Sequence, residues 1–330
     1  MDPAVLPKEK LKLLYNDIIK GFSVSVFNGT LIHIKHLNTL DSADFDFQYN
    51  LFLEQAKSAG SPTIEEQELF LIQEGSWSKD KNKEITNQRL FLDGMRTTKS
   101  KLFRQAEIDQ VNIKIKEAEA KLRGLEEERI NLLACTAESF ASKKLNEYQI
   151  FKSVYLPDLT THLFTAEQFD DLSDIDLVKL VTSFNDKLKP LNEKNLKRIA
   201  LAGFFLNFFY LCKDNPFTFW GKPVINLTFF QAELFGHAMF FKGILSNSQS
   251  RPPVEYMEDP DKLIDWYNSS RSVKEQLDKG IKPEDIVGLS AKDRENLGIR
   301  GQNLQHEKLV RAAQAKRSNL SFSDIIQTIK

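Results

Sequence analysis

The sequence predicts a mainly α protein: helical domains joined by a long coiled-coil-like helix, with one N-terminal β-hairpin. Three observations predict it. Ile108, Val111, Ile115, Ala118, Leu122, Leu125 and Leu132 recur at three- and four-residue steps, with Arg129 out of pattern and mostly polar residues between, which is a coiled-coil seam. No Pro falls between Pro62 and Pro157, so one helix can continue from Lys99 to Val154. At 1.5 Å per residue it would reach about 80 Å, the length of a spacer or an assembly surface. An ordinary long helix packed in a bundle reads the same residues equally well. Lastly, Asn28-Gly29 separates two alternating apolar and polar runs, Phe22 to Phe27 and Thr30 to Lys35, and suits the positive φ angles of a type I′ hairpin turn.

Taken in order, Lys8 to Ile19 reads as a short helix with Leu11, Leu14, Tyr15 and Ile18 on one face, closed by Gly21. The hairpin follows. Strand alternation points His33 and His36 to opposite faces, which argues against a metal site there. A helix over Ser42 to Ala59 ends at Gly60-Ser61-Pro62, and Thr63 with Glu66 forms a capping box for another through Ile72. After Gly75, a helix from Lys79 to about Phe91 leads past Gly94 into the long helix. Residues 1–98 thus read as a helical cap carrying the hairpin, and 99–154 as the rod.

Tyr155-Leu156-Pro157 marks a boundary, and 155–247 reads as an aromatic-rich helical domain. Thr165 with Gln168 and Ser173 with Asp176 are two more capping boxes. Asp170, Asp171, Asp174 and Asp176 read as carboxylates that offset the positive end of a helix dipole; the glycine and spacing of a calcium loop are missing. Ile199 to Cys212 is the most apolar run, shorter than the roughly 20 residues of a membrane span, so it predicts a buried core helix. Thr228 to Leu245 is apolar nearly all round and predicts a helix that is deeply buried or part of an interface. The stretch 246–253 reads as a linker, and 254–330 as a small C-terminal helical region. Its segment "PEDIVGLSAKDRENLGIRGQNLQHEKLVRAA" resembles, over about thirty residues, the last helices of sterile-alpha-motif domains.

Composition excludes some functions. With 41% hydrophobic and 28% charged residues, the chain reads as a soluble folded protein. Its 45 basic and 46 acidic side chains nearly cancel, so no overall charge draws it to nucleic acid or anionic membrane. Lys308, Arg311, Lys316 and Arg317 make one C-terminal helix locally basic, and a nucleic-acid-binding protein using that helix is one alternative function. Cys135 and Cys212 give no disulfide framework, and each lies in a helical apolar setting that predicts a buried thiol. The N-terminus lacks the apolar region of a secretory signal.

Catalytic motifs are missing: no HExxH, CxxC, GxSxG, phosphate loop or GxGxxG occurs. Cys135 with His162 is a candidate nucleophile and base pair, although a Cys in a helical apolar run is usually structural, and a cytoplasmic enzyme without a recognisable motif is the second alternative. The expectation is no enzyme activity, no cofactor and no metal.

Resemblance adds to this reading. The Asn-Gly hairpin, "SPTIEEQELFLIQEGSWSKDKNKEI" from Ser61, "LNEYQI" from Leu145 and above all "LCKDNPFTFWGKPVINLTFFQAELFGHAMFFKGIL" from Leu211 to Leu245 resemble a family of uncharacterised proteins of tailed bacteriophages, similar in context to tail and morphogenesis components. The resemblance spans most of residues 22–270. It implies a virion structural or tail-assembly protein, located in the host bacterial cytoplasm during assembly or in the virion, and assigns no site residues. The expected partners are other phage structural or tail proteins, with self-association or membership of a larger assembly, and no membrane. Ile108, Val111, Ile115, Leu122 and Leu125 of the seam, with Phe235 and Phe240, are the candidate interface residues, because large apolar side chains dominate interface energetics.

Overall fold

A computed structural model describes residues 6–102, 105–246 and 252–280. The protein is mainly helical with a small antiparallel sheet near its N-terminus. Helix α1 (Lys8–Lys20) closes at Gly21, whose φ of +78° allows its N–H to cap the last turn. Strands β1 (Phe22–Phe27) and β2 (Thr30–Lys35) pair around Asn28-Gly29, both at positive φ, as the turn requires. A third strand, β3 (Val154–Tyr155), adds to β2 with His33 opposite Tyr155. It is too short to leave a pattern in the sequence. One sheet face buries Ile32, Ile34, Phe27 and His36, and His33 lies on the other, stacked on Phe22 at 4.5 Å.

Helices α2 (Phe45–Ser58) and α3 (Ile64–Gln73) follow, the second opened by the Thr63 and Glu66 capping box. Helix α4 (Lys79–Lys99) runs through Gly94, and α5 (Gln105–Leu132) returns antiparallel beside it. The expected continuous helix from Lys99 to Val154 is therefore corrected: Lys99 ends α4, and the rest of the span is divided between two helices. At Ser100 to Leu102 the chain turns with three-residue hydrogen bonds back to Thr98 and Lys99. At its other end, the Thr136 hydroxyl bonds to Leu133 O at 2.9 Å and accepts the Ser139 N–H, ending α5 and starting α6 (Ala137–Ser153). The 28 residues of α5 span about 42 Å, half the predicted rod.

The seam closes inside the chain. Ile115 and Ala118 of α5 pack with Leu92 of α4, joined by Val111, Leu122 and Met95; further along, Leu122 and Leu125 meet Ile85, Leu71 and Trp77. Ion pairs flank it: Lys81–Glu128, Lys121–Glu84, Arg89–Glu126 and Arg96–Glu119 join the two helices. At the base, Lys99 Nζ meets Asp265 at 2.8 Å, and Ser269 Oγ donates to Leu102 O at 2.6 Å, tying the turn to helix α13 (Pro260–Asp278).

Beyond β3, α7 (Ala166–Asp170) and α8 (Asp174–Leu188) open on Thr165 and Ser173, as their capping residues predict. They cover the buried face of the sheet, where Leu180 and Phe169 join Phe27, Ile32 and Val154. The run Ile199 to Cys212 is not one helix. Ala202 takes an extended conformation (φ −69°, ψ 136°) that ends α9 (Glu193–Leu201) and starts α10 (Gly203–Phe209), followed by one 3₁₀ turn, Tyr210–Cys212. The reorientation lets Ile199 and Ala200 of α9 and Phe205 and Phe209 of α10 enter one core with α1, α12 (Phe229–Leu245) and α13. Gln231, wholly buried, donates from Nε2 to Ile18 O at 2.7 Å and so caps α1 from α12. The C-terminal helices expected beyond Gly280, including the basic one, lie outside the described residues.

Candidate interaction surface

The seven residues of α10, GFFLNFF, are too apolar for a helix this short to bury completely. Phe205, Leu206 and Phe209 point inward, Phe209 lying 5.0 Å from Phe235 of α12. Asn207 and Phe208 point outward, and Phe208 is 64% exposed. Leu211, one turn on, is 75% exposed.

The chain then reverses through Lys213 and Asp214, two successive non-glycine residues at φ +53° and +59°, a conformation that costs on the order of 1 kcal/mol or more each. Lys242 of α12 stabilises this reversal, its ammonium lying 2.8 Å from the Asp214 carboxylate and over the Phe209 and Tyr210 rings. Asn215 caps the next helix, α11 (Pro216–Trp220), with Pro216 in its first turn. Folded back this way, α11 sets Phe219 against Phe205 and Phe209 and turns Phe217 out to solvent, 58% exposed.

Between α1, α10 and α11 lies an open groove of about 380 Å³. Phe219, Trp220 and Tyr15 are half-buried in its wall; Ile19, Phe208 and Leu211 stand exposed along it. Trp220 Nε1 is buried and meets no acceptor. Contiguous exposed apolar surface of this kind marks interaction sites in soluble proteins.

The residues expected to form an interface are placed differently. Ile108 and Ile115 are buried, and Val111, Leu122 and Leu125 are half-buried, the last four in the packing with α3 and α4. Phe235 is 5% exposed and belongs to the aromatic core. Phe240 is 40% exposed, with its ring edge on Phe241 and Tyr267. Sequence reasoning missed Phe208, Leu211 and Phe217; the signal was Asn207, a polar residue inside the apolar run that marks an outward face.

Cys135 and His162 do not come together. Cys135 is exposed in the turn before α6, which corrects its expected burial, while His162 pairs with Tyr155 and stacks on Phe151. They sit at opposite ends of α6, about 25 Å apart along its axis. Cys212 is buried, its thiol donating to Phe209 O. Burial lowers the pKa of His36 to about 4, and Ser23 Oγ lies 3.0 Å from its Nε2. Among the described residues, no group of three His, Cys, Asp or Glu side chains could hold a metal ion, and no helix is long and apolar enough to cross a membrane.

A cavity of about 900 Å³ opens between α4, α5 and α6. Its two arginines are already paired, Arg89 with Glu126 and Arg129 with Glu68. No family model, curated protein or solved structure matches this chain.

Proposed function

We propose that the protein is a non-enzymatic structural or assembly protein that works through contacts with other proteins, in building the tail or neck of a tailed bacteriophage. The contact role rests on the groove of α1, α10 and α11, where Phe208 and Leu211 stand in water beside an aromatic wall. Single exposed apolar residues are ordinary; a contiguous set along a preformed recess is what a protein partner buries. The phage context rests on the motif resemblance, above all Leu211 to Leu245, which contains part of this surface.

The test combines mass spectrometry of purified virions with removal of the protein. Stoichiometric presence is expected of a component, and absence together with loss of assembled tails is expected of an assembly factor. A protein neither present in particles nor needed for them removes the phage reading. Sedimentation as a compact monomer, alone and with candidate tail proteins, removes the contact reading.

A further inference from the structure

The groove has a charge pattern as well as an apolar wall. Lys8, Lys12, Tyr15 and Ile19 follow one another along α1 at steps of four, three and four, so they share one helical face. Tyr15 and Ile19 line the groove, which puts Lys8 and Lys12 on the continuation of its wall. Lys213 directly follows Cys212, which lines the groove, and Lys222 lies two residues beyond Trp220. None of these four lysines forms an ion pair among the described residues. Of the nearby carboxylates, Asp214 is held by Lys242 and Asp17 faces Ser23 on β1, while Glu9 stands exposed in the first turn of α1.

We propose that the groove receives an amphipathic helix of a partner protein that carries Asp or Glu beside its apolar face. The proposal rests on the reading of this surface as a contact site and names the chemistry of what it contacts. Apolar side chains at i, i+3, i+4 and i+7 would enter between Ile19, Phe208 and Leu211. Carboxylates on the flanks would meet the unpaired lysines, which steers encounter and sets orientation. The recess favours a helix over a lipid surface, because bilayer binding uses protruding side chains and has no use for a cavity beside them.

Fluorescence anisotropy of two labelled synthetic helices tests this. Both carry the same Leu and Phe stripe; one has Glu on its polar face and the other Lys. The full-length protein is expected to bind the Glu helix at least about tenfold tighter at low salt, with the preference shrinking as salt is added. Leu211→Asp is expected to abolish binding. Lys8→Glu combined with Lys12→Glu is expected to weaken the Glu helix and favour the Lys helix. All of these positions are exposed, and unchanged urea melts would confirm that the variants fold. Equal affinity for the two helices, or no binding of either, overturns the proposal. So does binding to phosphatidylglycerol vesicles with neither helix bound, which would assign the groove to anionic lipid. If Leu211→Asp blocks assembly while the charge reversal changes nothing, the contact surface stands and the acidic partner falls.

Discussion

In the antiparallel pair of α4 and α5, the apolar stripe of each helix faces the other, and pairs such as Arg96–Glu119 close the edges. In the body around α10 and α12, Phe205, Phe209 and Phe235 fill the core, yet Phe208 and Leu211 of the same run remain outside. The first region spends an ordinary helical periodicity on a partner helix within the chain. The second carries more apolar surface than its own elements can cover. An apolar pattern therefore identifies a contact face only when the chain's own supply of packing partners has been counted, and here that count moves the candidate interface from the seam to α10.

The sharpest way to break this comparison is a pair of matched substitutions. Phe235→Asp places a carboxylate in the aromatic core, where an unpaired charge is costly enough to neutralise or unfold its surroundings, so a loss of more than about 4 kcal/mol is expected. Phe208→Asp, on the exposed side of α10, should stay within about 0.5 kcal/mol of wild type. Circular dichroism melts decide both; similar melts for the two variants would erase the distinction between core and surface.

The seam comes next. Leu92→Ala, in a site 3% exposed, should cost about 2 to 5 kcal/mol. Leu122→Pro should cost about 3 kcal/mol or more, since it removes a helical hydrogen bond in mid-α5. If the seam closes within the chain, both losses are independent of protein concentration in urea unfolding. A midpoint that rises with concentration would mean that seam residues pair between copies.

These placements also show what the sequence could and could not convey. The hairpin limits, the Thr63 and Thr165 capping boxes and α12 from Thr228 were legible, because each is written in a few adjacent residues whose local hydrogen bonds decide the outcome. The break at Thr136 had a local signal, a capping residue followed by Ala137 and Glu138, that the long apolar periodicity obscured. Its support is tertiary: Ala137 N–H donates to Pro62 O at 2.9 Å, and Glu138 accepts the Ile64 N–H at the start of α3. Strand β3 and the kink at Ala202 depend on distant partners and had no such signal. At the interaction surface, Asn207 alone hinted at the outward side; Asn215-Pro216 marked a turn after the apolar run, but the positive φ of Lys213, a residue type not enriched in that region, had no signal of its own.

His36 sharpens the comparison from a third side, at the junction of the sheet and the aromatic body, where its ring edge meets Phe230 at 5.1 Å. Burial holds its folded pKa near 4 against an ordinary value of 6.5. Between these values the unfolded chain binds a proton that the folded chain refuses, so stability falls as pH drops through this window and levels off below about 4. The full loss is about 3 kcal/mol. Urea unfolding at several pH values should show a shallower slope across the window for His36→Gln than for wild type; identical slopes would mean that His36 takes up its proton in the folded state.

The smallest expected effect concerns the ion pairs between α4 and α5. Both side chains of Arg96–Glu119 are substantially exposed, as is Arg89 of Arg89–Glu126, and such pairs contribute roughly 0.2 to 1 kcal/mol each after solvent screening and the ordering of long side chains. A double-mutant cycle on Arg96→Ala and Glu119→Ala should therefore give a coupling below about 1 kcal/mol that shrinks as salt is raised. If the apolar seam holds the two helices together, the ion pairs set their register, because like charges would face each other in a shifted alignment. Reversing one pair, Arg96→Glu with Glu119→Arg, should restore most of the wild-type stability that either reversal alone removes. A coupling above about 2 kcal/mol would instead make the charged edge, and not the stripe of Leu92, Ile115 and Ala118, the main bond between α4 and α5.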